Sequence, residues 1–169
     1  MKVDDYKYLP RMFRALYENE PAIEEGKVWA QFDKRLSRAR IALLTSAGLY
    51  VGSQQPPFDV ERERREPTWG DASHRLVPRS ALPSDLAMSH LHVRNDEVLA
   101  DPNIALPLAP LADLVESGFV GGATAEHVSV MGYQGWHDNS LDRWQEETAP
   151  AIATALEKQG ADGVVLAPV

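Results

Sequence analysis

The apolar positions of this chain follow two periods that alternate along its length. Leu9, Met12, Phe13, Leu16 and Tyr17 fall at helical spacing ahead of Pro21, which predicts an amphipathic helix over 9–20. Val28, Trp29 and Phe32 prolong the apolar patch. Residues 1–38 therefore read as an N-terminal helical arm packed on a body of residues 39–169, the whole forming a single domain. Ile41-Ala42-Leu43-Leu44 is a continuous apolar run. It predicts a first core strand over 41–46, ending in the small-residue turn Ala47-Gly48.

Residues 52–71, with Pro56, Pro57, Pro67 and many charges, predict a long surface excursion. A short strand is expected over 76–78, a turn or two of helix over 81–86, and a strand over 88–93. On that strand His90 and His92 would share one face, with Leu91 on the other. Leu111, Leu114 and Val115 mark a helix over 110–117, closed by Gly118. Residues 119–121 and 127–131 are strand-like. The longest helix is expected over 141–159, with Leu141, Trp144, Thr148, Ile152 and Leu156 on one stripe, a kink at Pro150 and a stop at Gly160. The last run, Gly163-Val164-Val165-Leu166-Ala167-Pro168-Val169, reads as a buried parallel strand. This alternation places the chain in the α/β class. The architecture expected is a three-layer, Rossmann-like or flavodoxin-like, mostly parallel sheet with helices on both faces.

Composition narrows the functional classes. The 169 residues carry a formal charge of −8, and the basic residues are scattered among acids, as in Glu61-Arg62-Glu63-Arg64-Arg65-Glu66. That argues against a nucleic-acid partner, which needs clustered Lys and Arg. No run reaches the ~20 apolar residues of a membrane helix, and the N-terminus lacks a signal-peptide core. A cytoplasmic location follows as the expectation. Cysteine is absent from the 169 residues, which removes disulfides, thiolate nucleophiles and Cys-based zinc sites from them.

His90-Leu91-His92 is the sharpest local feature. Two imidazoles on one strand face could share a metal or serve one substrate as acid and base. A metal would need a third ligand from His74, His127, Asp96 or Asp101, and a half-exposed strand that happens to carry two histidines explains the pair equally well. Gly70-Asp71-Ala72-Ser73-His74-Arg75 offers a carboxylate, a hydroxyl, an imidazole and a guanidinium together. Arg75 could clamp a substrate carboxylate through paired hydrogen bonds; a turn-forming Asp71 with a solvated Arg75 is the plainer reading. No Gly-x-Ser-x-Gly elbow, Walker A motif, Gly-x-Gly-x-x-Gly fingerprint or His-Glu-x-x-His run occurs.

Taken in order, these pieces resemble a known family. Ala39-Arg40-Ile41-Ala42-Leu43-Leu44-Thr45-Ser46-Ala47-Gly48-Leu49, then Pro57-Phe58-Asp59 and Gly70 to Arg75, resemble the selenoprotein B component of the glycine, sarcosine, betaine and D-proline reductases. So do Ser89-His90, Ala100-Asp101-Pro102-Asn103, Ser129-Val130-Met131-Gly132 and the closing Gly163 to Val169. The resemblance covers roughly residues 39–169, and the chain's size matches the short, single-domain members. It implies a reductase component that cleaves a carbon–nitrogen bond α to a carboxylate or carbonyl, with a disulfide couple as electron acceptor. The family's nucleophile, selenocysteine or cysteine, sits directly after the strand that ends here at Val169. That the 169 residues stop at that point is expected to reflect a selenocysteine codon read as a stop, the competing expectation being a genuine stop in a non-redox homologue.

In the reductase scheme His90 is the proton donor or acceptor, Arg75 the carboxylate clamp and Asp71 its orienter. Ser46, Gly48, Ser73, Ser89 and Asn103 line the substrate pocket. The substrate would be amino-acid-like or another small carboxylate, and the scheme allows a redox partner protein and a homo-oligomer. The alternative is a small-molecule or metal-binding α/β module built on His90 and His92.

Overall fold

β1, Arg40–Thr45, lies at the centre of the main sheet in the computed structural model, which describes residues 10, 11, 30–137 and 139–169. The chain divides into a unit of residues 1–31 and a unit of residues 32–169, and the strands and helices named below belong to the second. Apart from Pro10 and Arg11, the helix expected over 9–20 lies outside the described residues, as do Val28 and Trp29.

The strands are β1, β2 (Leu49–Val51), β3 (His74–Pro78), β4 (Leu86–Met88), β5 (Gly122–Ala123), β6 (Glu126–Val130) and β7 (Gly163–Ala167). The main sheet runs β3-β6-β1, with β5 continuing the β6 side along the start of β1, and β7 on β1's other edge. β1, β5, β6 and β7 are parallel, whereas β3 runs antiparallel to β6. The class is therefore α/β with a mostly parallel, mixed sheet. The helices are α1 (Val60–Arg65), α2 (Asn95–Ala100), α3 (Leu108–Glu116), α4 (Ser140–Arg143) and α5 (Ala149–Lys158).

Alternation along β1 builds the layers. Ile41 and Leu43 join one core cluster with Leu106 and with Leu111 of α3. Ala42 joins the other with Val128, Val130, and Ile152 and Leu156 of α5. Helices thus cover both faces of the sheet, as a strand with apolar residues on both sides requires.

Four expectations are corrected. The excursion 52–71 contains α1, which starts at the N-cap Asp59, whose side chain accepts from the Arg62 N–H. The strand expected over 88–93 ends at Met88. Its antiparallel partner β2 begins at Leu49, opposite Met88, because Gly48 turns the chain at φ +66°. Beyond Ser89, whose N–H reaches the Gly48 carbonyl, the backbone bends, and the His92 N–H closes onto His90 Nδ1 at 3.1 Å. The long C-terminal helix is divided: residues Trp144–Thr148 form a π turn in which the Ala149 N–H reaches the Trp144 carbonyl. That wider turn leads into Pro150 at the start of α5, where a proline's missing N–H is tolerated.

The final strand is parallel to β1 over five residue pairs, as its apolar run suggests. It is not buried: Val164, Val165 and Leu166 are exposed, Leu166 by 67%. Among the described residues β7 pairs with β1 alone, so it lies at the sheet's edge.

Candidate functional site

Parallel strands direct their carboxyl ends to one side of a sheet, and ligands in α/β folds collect there. Here β1 ends into Ser46, β6 into Met131-Gly132 and β7 toward Val169. An antiparallel bridge between Ala47 and Met131 draws the first two together. The Ser46 hydroxyl fastens the third: it accepts from the Val169 N–H at 2.9 Å and donates to the Val169 carbonyl at 3.3 Å.

Gly132 marks the point of convergence. A Cβ placed on it would stand 3.3 Å from the Val169 oxygen, 3.4 Å from His90 Nε2 and 3.4 Å from the Ser46 carbonyl oxygen. Gly48 is needed for a different reason. Its φ is positive, and a Cβ there would meet the Ser89 carbonyl oxygen at 2.3 Å. The chain between β1 and β2 can therefore lie against Ser89-His90 only with glycine at this position.

His90 is 8% exposed, and its Nε2 has no hydrogen-bond partner among the described residues. Because Nδ1 accepts the His92 N–H, the neutral ring carries its proton on Nε2. Burial lowers the pKa of His90, and the neighbouring His92 adds to the effect. The result is a neutral imidazole held as an N–H donor, aimed beside Gly132. His92 stands apart: its side chain is exposed, and its ring meets that of His90 edge-on at 6.2 Å. The two rings do not share a strand face.

The loop of residues 70–75 reaches the same end of the sheet because β3 is antiparallel. Its first residues, His74 and Arg75, stand opposite Val130 and Ser129, where β6 finishes. Gly70 packs flush on the chain after β6; a Cβ there would lie 2.6 Å from Tyr133 O and Gly135 N. Asp71 Oδ1 accepts from both the backbone and the hydroxyl of Ser73, and the Ser73 hydroxyl accepts from Arg75 Nη1. Arg75 also donates to the carbonyls of Pro56, Pro57 and His74 and lies over the Phe58 ring at 4.2 Å. Its immediate work is to pin residues 56–58. One Nη2 hydrogen lies outside these bonds.

Ser46, Gly48, Ser89 and His90 are thus brought together, while Asp71, Ser73 and Arg75 form an adjoining hydrogen-bonded chain. Asn103 is not brought to either group. Its side chain bonds Asp101 and the Ala109 N–H, and it lines a separate cavity with Leu82, Leu86 and Leu106. His127 lies near the amino end of β6, beside a cavity of about 580 Å³ that includes Arg40 and Arg79. There its Nδ1 accepts the Leu43 N–H at 3.1 Å, in the gap between the β5 and β6 pairings of β1. Burial, with Arg79 adding to it, lowers its pKa to about 4. Among the described residues no three of His, Asp and Glu come together as a metal-ligand set. Nor is any helix among them long and apolar enough to cross a membrane.

One residue went unmarked in the sequence. Glu63 of α1 is 4% exposed, and neither carboxylate oxygen has a hydrogen-bond partner among the described residues. It sits in a charge run that reads as a solvated face, and the only local sign of its burial is the helix start at Asp59 directly after Phe58.

Comparison with known proteins adds a relative. The chain is 30% identical over 139 residues to D-proline reductase subunit gamma of Acetoanaerobium sticklandii, a match that takes in 82% of this chain. It spans about half the length of that curated relative, 52%. The match establishes a distant relationship to that reductase, one of the four named by the sequence resemblance. No family model matches the chain, and no solved structure matches it.

Proposed function

We propose that this chain is a component of a multi-subunit reductase related to D-proline reductase, acting in reductive cleavage of a carbon–nitrogen bond α to a carboxylate. The observation that carries this reading is the Nε2–H of His90, buried beside Gly132 without a hydrogen-bond partner among the described residues, where the carboxyl ends of β1, β6 and β7 meet. The resemblance puts a selenol or thiol directly after Val169. Ionised, such a group would displace the nitrogen at the α-carbon, the C–Se or C–S bond forming as C–N breaks and the amine leaves protonated. A thiol would then take the chalcogen, leaving a C–H product and a selenenyl sulfide or disulfide that an external dithiol reduces. The residues present suit it, since a neutral N–H donor stabilises a nearby anionic chalcogen without neutralising it.

Each residue has a role in this scheme. Ser46 fixes Val169 and with it the position of whatever follows. Gly132 leaves the space that a Cβ would occupy. His90, being locked with its proton on Nε2, acts as a hydrogen-bond donor and not as a base. Arg75 offers a substrate carboxylate its remaining Nη2 hydrogen, a single contact in place of a paired clamp, and Asp71 orients it through Ser73. Ser73 joins Asp71 to Arg75, and the Ser89 N–H reaches the Gly48 carbonyl beside His90.

The test is turnover. The natural gene product, made with selenium available and combined with its partner subunits, should open D-proline at the bond between nitrogen and the α-carbon with a dithiol as electron source. His90→Phe should lower that rate at least tenfold. Absence of cleavage with D-proline and with the glycine-type substrates would sink the reading.

A further inference from the structure

Glu63 is a buried carboxyl group at a cavity, and its oxygens accept no hydrogen bond from the described residues. The cavity, about 320 Å³, is lined by Glu63, Arg64, Pro67, Leu91, His92 and Tyr133. Tyr133 follows Gly132, and His92 lies two residues from His90, so the cavity adjoins the strand-end site along both segments. The Tyr133 hydroxyl is already bound to the Pro67 carbonyl.

The guanidinium groups of α1 do not serve Glu63. Arg62 pairs with Glu66 and lies over the Trp69 ring, Arg64 pairs with Glu61, and Arg65 donates to the Glu61 carbonyl. His92 Nε2 comes to 3.7 Å from Oε1, within ion-pair range but beyond a hydrogen bond, on a side chain that is 70% exposed. Burial raises the Glu63 pKa, His92 works against that and Asp71 with it. A buried carboxyl left without donors is costly, and the matching ligand brings N–H groups and a positive charge. An anion would meet the Glu63 carboxyl, and Arg64 on the cavity wall is already paired with Glu61, so an anion is disfavoured. The apolar surfaces of Leu91, Pro67 and Tyr133 suit a small hydrocarbon framework around that charge.

We infer that the Glu63 cavity binds a small organic ammonium ion, which pairs with the Glu63 carboxyl while its carbon framework lies on Leu91, Pro67 and Tyr133. The identity of the ion as the amino group of the substrate rests on the reductase reading; the cavity's preference for ammonium does not.

Pyrrolidinium chloride is the probe, titrated into the full chain and followed by calorimetry and by ¹³C NMR of the glutamate carboxyl groups. One carboxyl resonance, missing in Glu63→Gln, should shift on titration. Neutral cyclopentanol should not shift it. Glu63→Gln, which keeps the side chain's shape and weakens only the 3.7 Å approach of the exposed His92, should stay folded and bind pyrrolidinium at least tenfold more weakly. The inference is overturned if the Glu63 resonance does not move, or if the variant binds equally well. Pyrrolidinium binding without cleavage of D-proline would uphold this site while removing the reductase reading. Cleavage with no pyrrolidinium binding would do the reverse.

Discussion

The hydroxyl of Ser46 holds both backbone polar groups of Val169, accepting from its N–H at 2.9 Å and donating to its carbonyl at 3.3 Å. A single side chain at the end of β1 thereby sets where β7 delivers the chain. Ser46→Ala removes both bonds. It should cost about 1 kcal/mol in denaturant unfolding and speed hydrogen exchange at the Val169 amide above that of its neighbours in β7. Unchanged exchange at Val169 would mean that the clasp does not position it.

Gly48→Ala should be the more damaging substitution. The positive φ and the close Ser89 carbonyl act together, and the obstacle is backbone. A loss of about 2 kcal/mol or more is expected in chemical denaturation. Gly132→Ala, whose contacts lie at 3.3–3.4 Å, should cost less, about 1 kcal/mol, yet shift the His90 ring resonances.

His90 should titrate below the ordinary histidine value of 6.5, with Nε2 carrying the proton throughout the neutral range. Long-range ¹H–¹⁵N spectra read both properties at once. A ring protonated on Nδ1 at neutral pH would contradict the donor assignment.

Stability should fall as the medium is acidified from pH 6.5 toward 4. Folded His127 resists protonation down to about 4, while the unfolded chain takes the proton near 6.5, so acid favours the unfolded state across that window. His90 acts in the same direction. Glu63 acts oppositely: its raised pKa contributes stability at low pH, which is lost as pH rises through its folded value. Urea midpoints should therefore drop between pH 7 and 5 in the natural protein. In His127→Phe the drop should shrink, on top of a loss of about 1–3 kcal/mol from the unpaired Leu43 N–H.

Arg75→Lys separates pinning from substrate contact. One ammonium cannot serve the carbonyls of Pro56 and Pro57 together with the Ser73 hydroxyl, so residues 52–59 should become more sensitive to a non-specific protease. An unaltered cleavage pattern would show that the loop is held by other contacts.

The sheet's centre was legible because its cause is local. The apolar run of β1 and the helical stripes of α3 and α5 declare elements whose burial follows from their own residues. The fate of β7 was not, because an apolar run states that a strand is extended and apolar, while exposure depends on what stands beside it. The direction of β3 is likewise a tertiary fact, and it is what carries Arg75 to the functional end. His90 and His92 looked equivalent at alternate positions. They diverge because β2 gives out at Gly48 and leaves the chain after Ser89 to bend. Glu63 was hidden by its neighbours: in a run of six charges, only the helix phase set at Asp59 turns one of them inward. Asn103 carried a motif resemblance, yet its bonds hold its own turn.

The claim that a redox residue is presented at the end of β7 can be read directly by mass spectrometry. The protein would be purified from its natural host grown with selenium, reduced, alkylated and cut with trypsin, which cleaves after Lys158. The account predicts that the peptide beginning at Gln159 continues past Val169 into an alkylated selenocysteine or cysteine. A peptide from active protein that ends at Val169, or continues into a residue without a selenol or thiol, would contradict it.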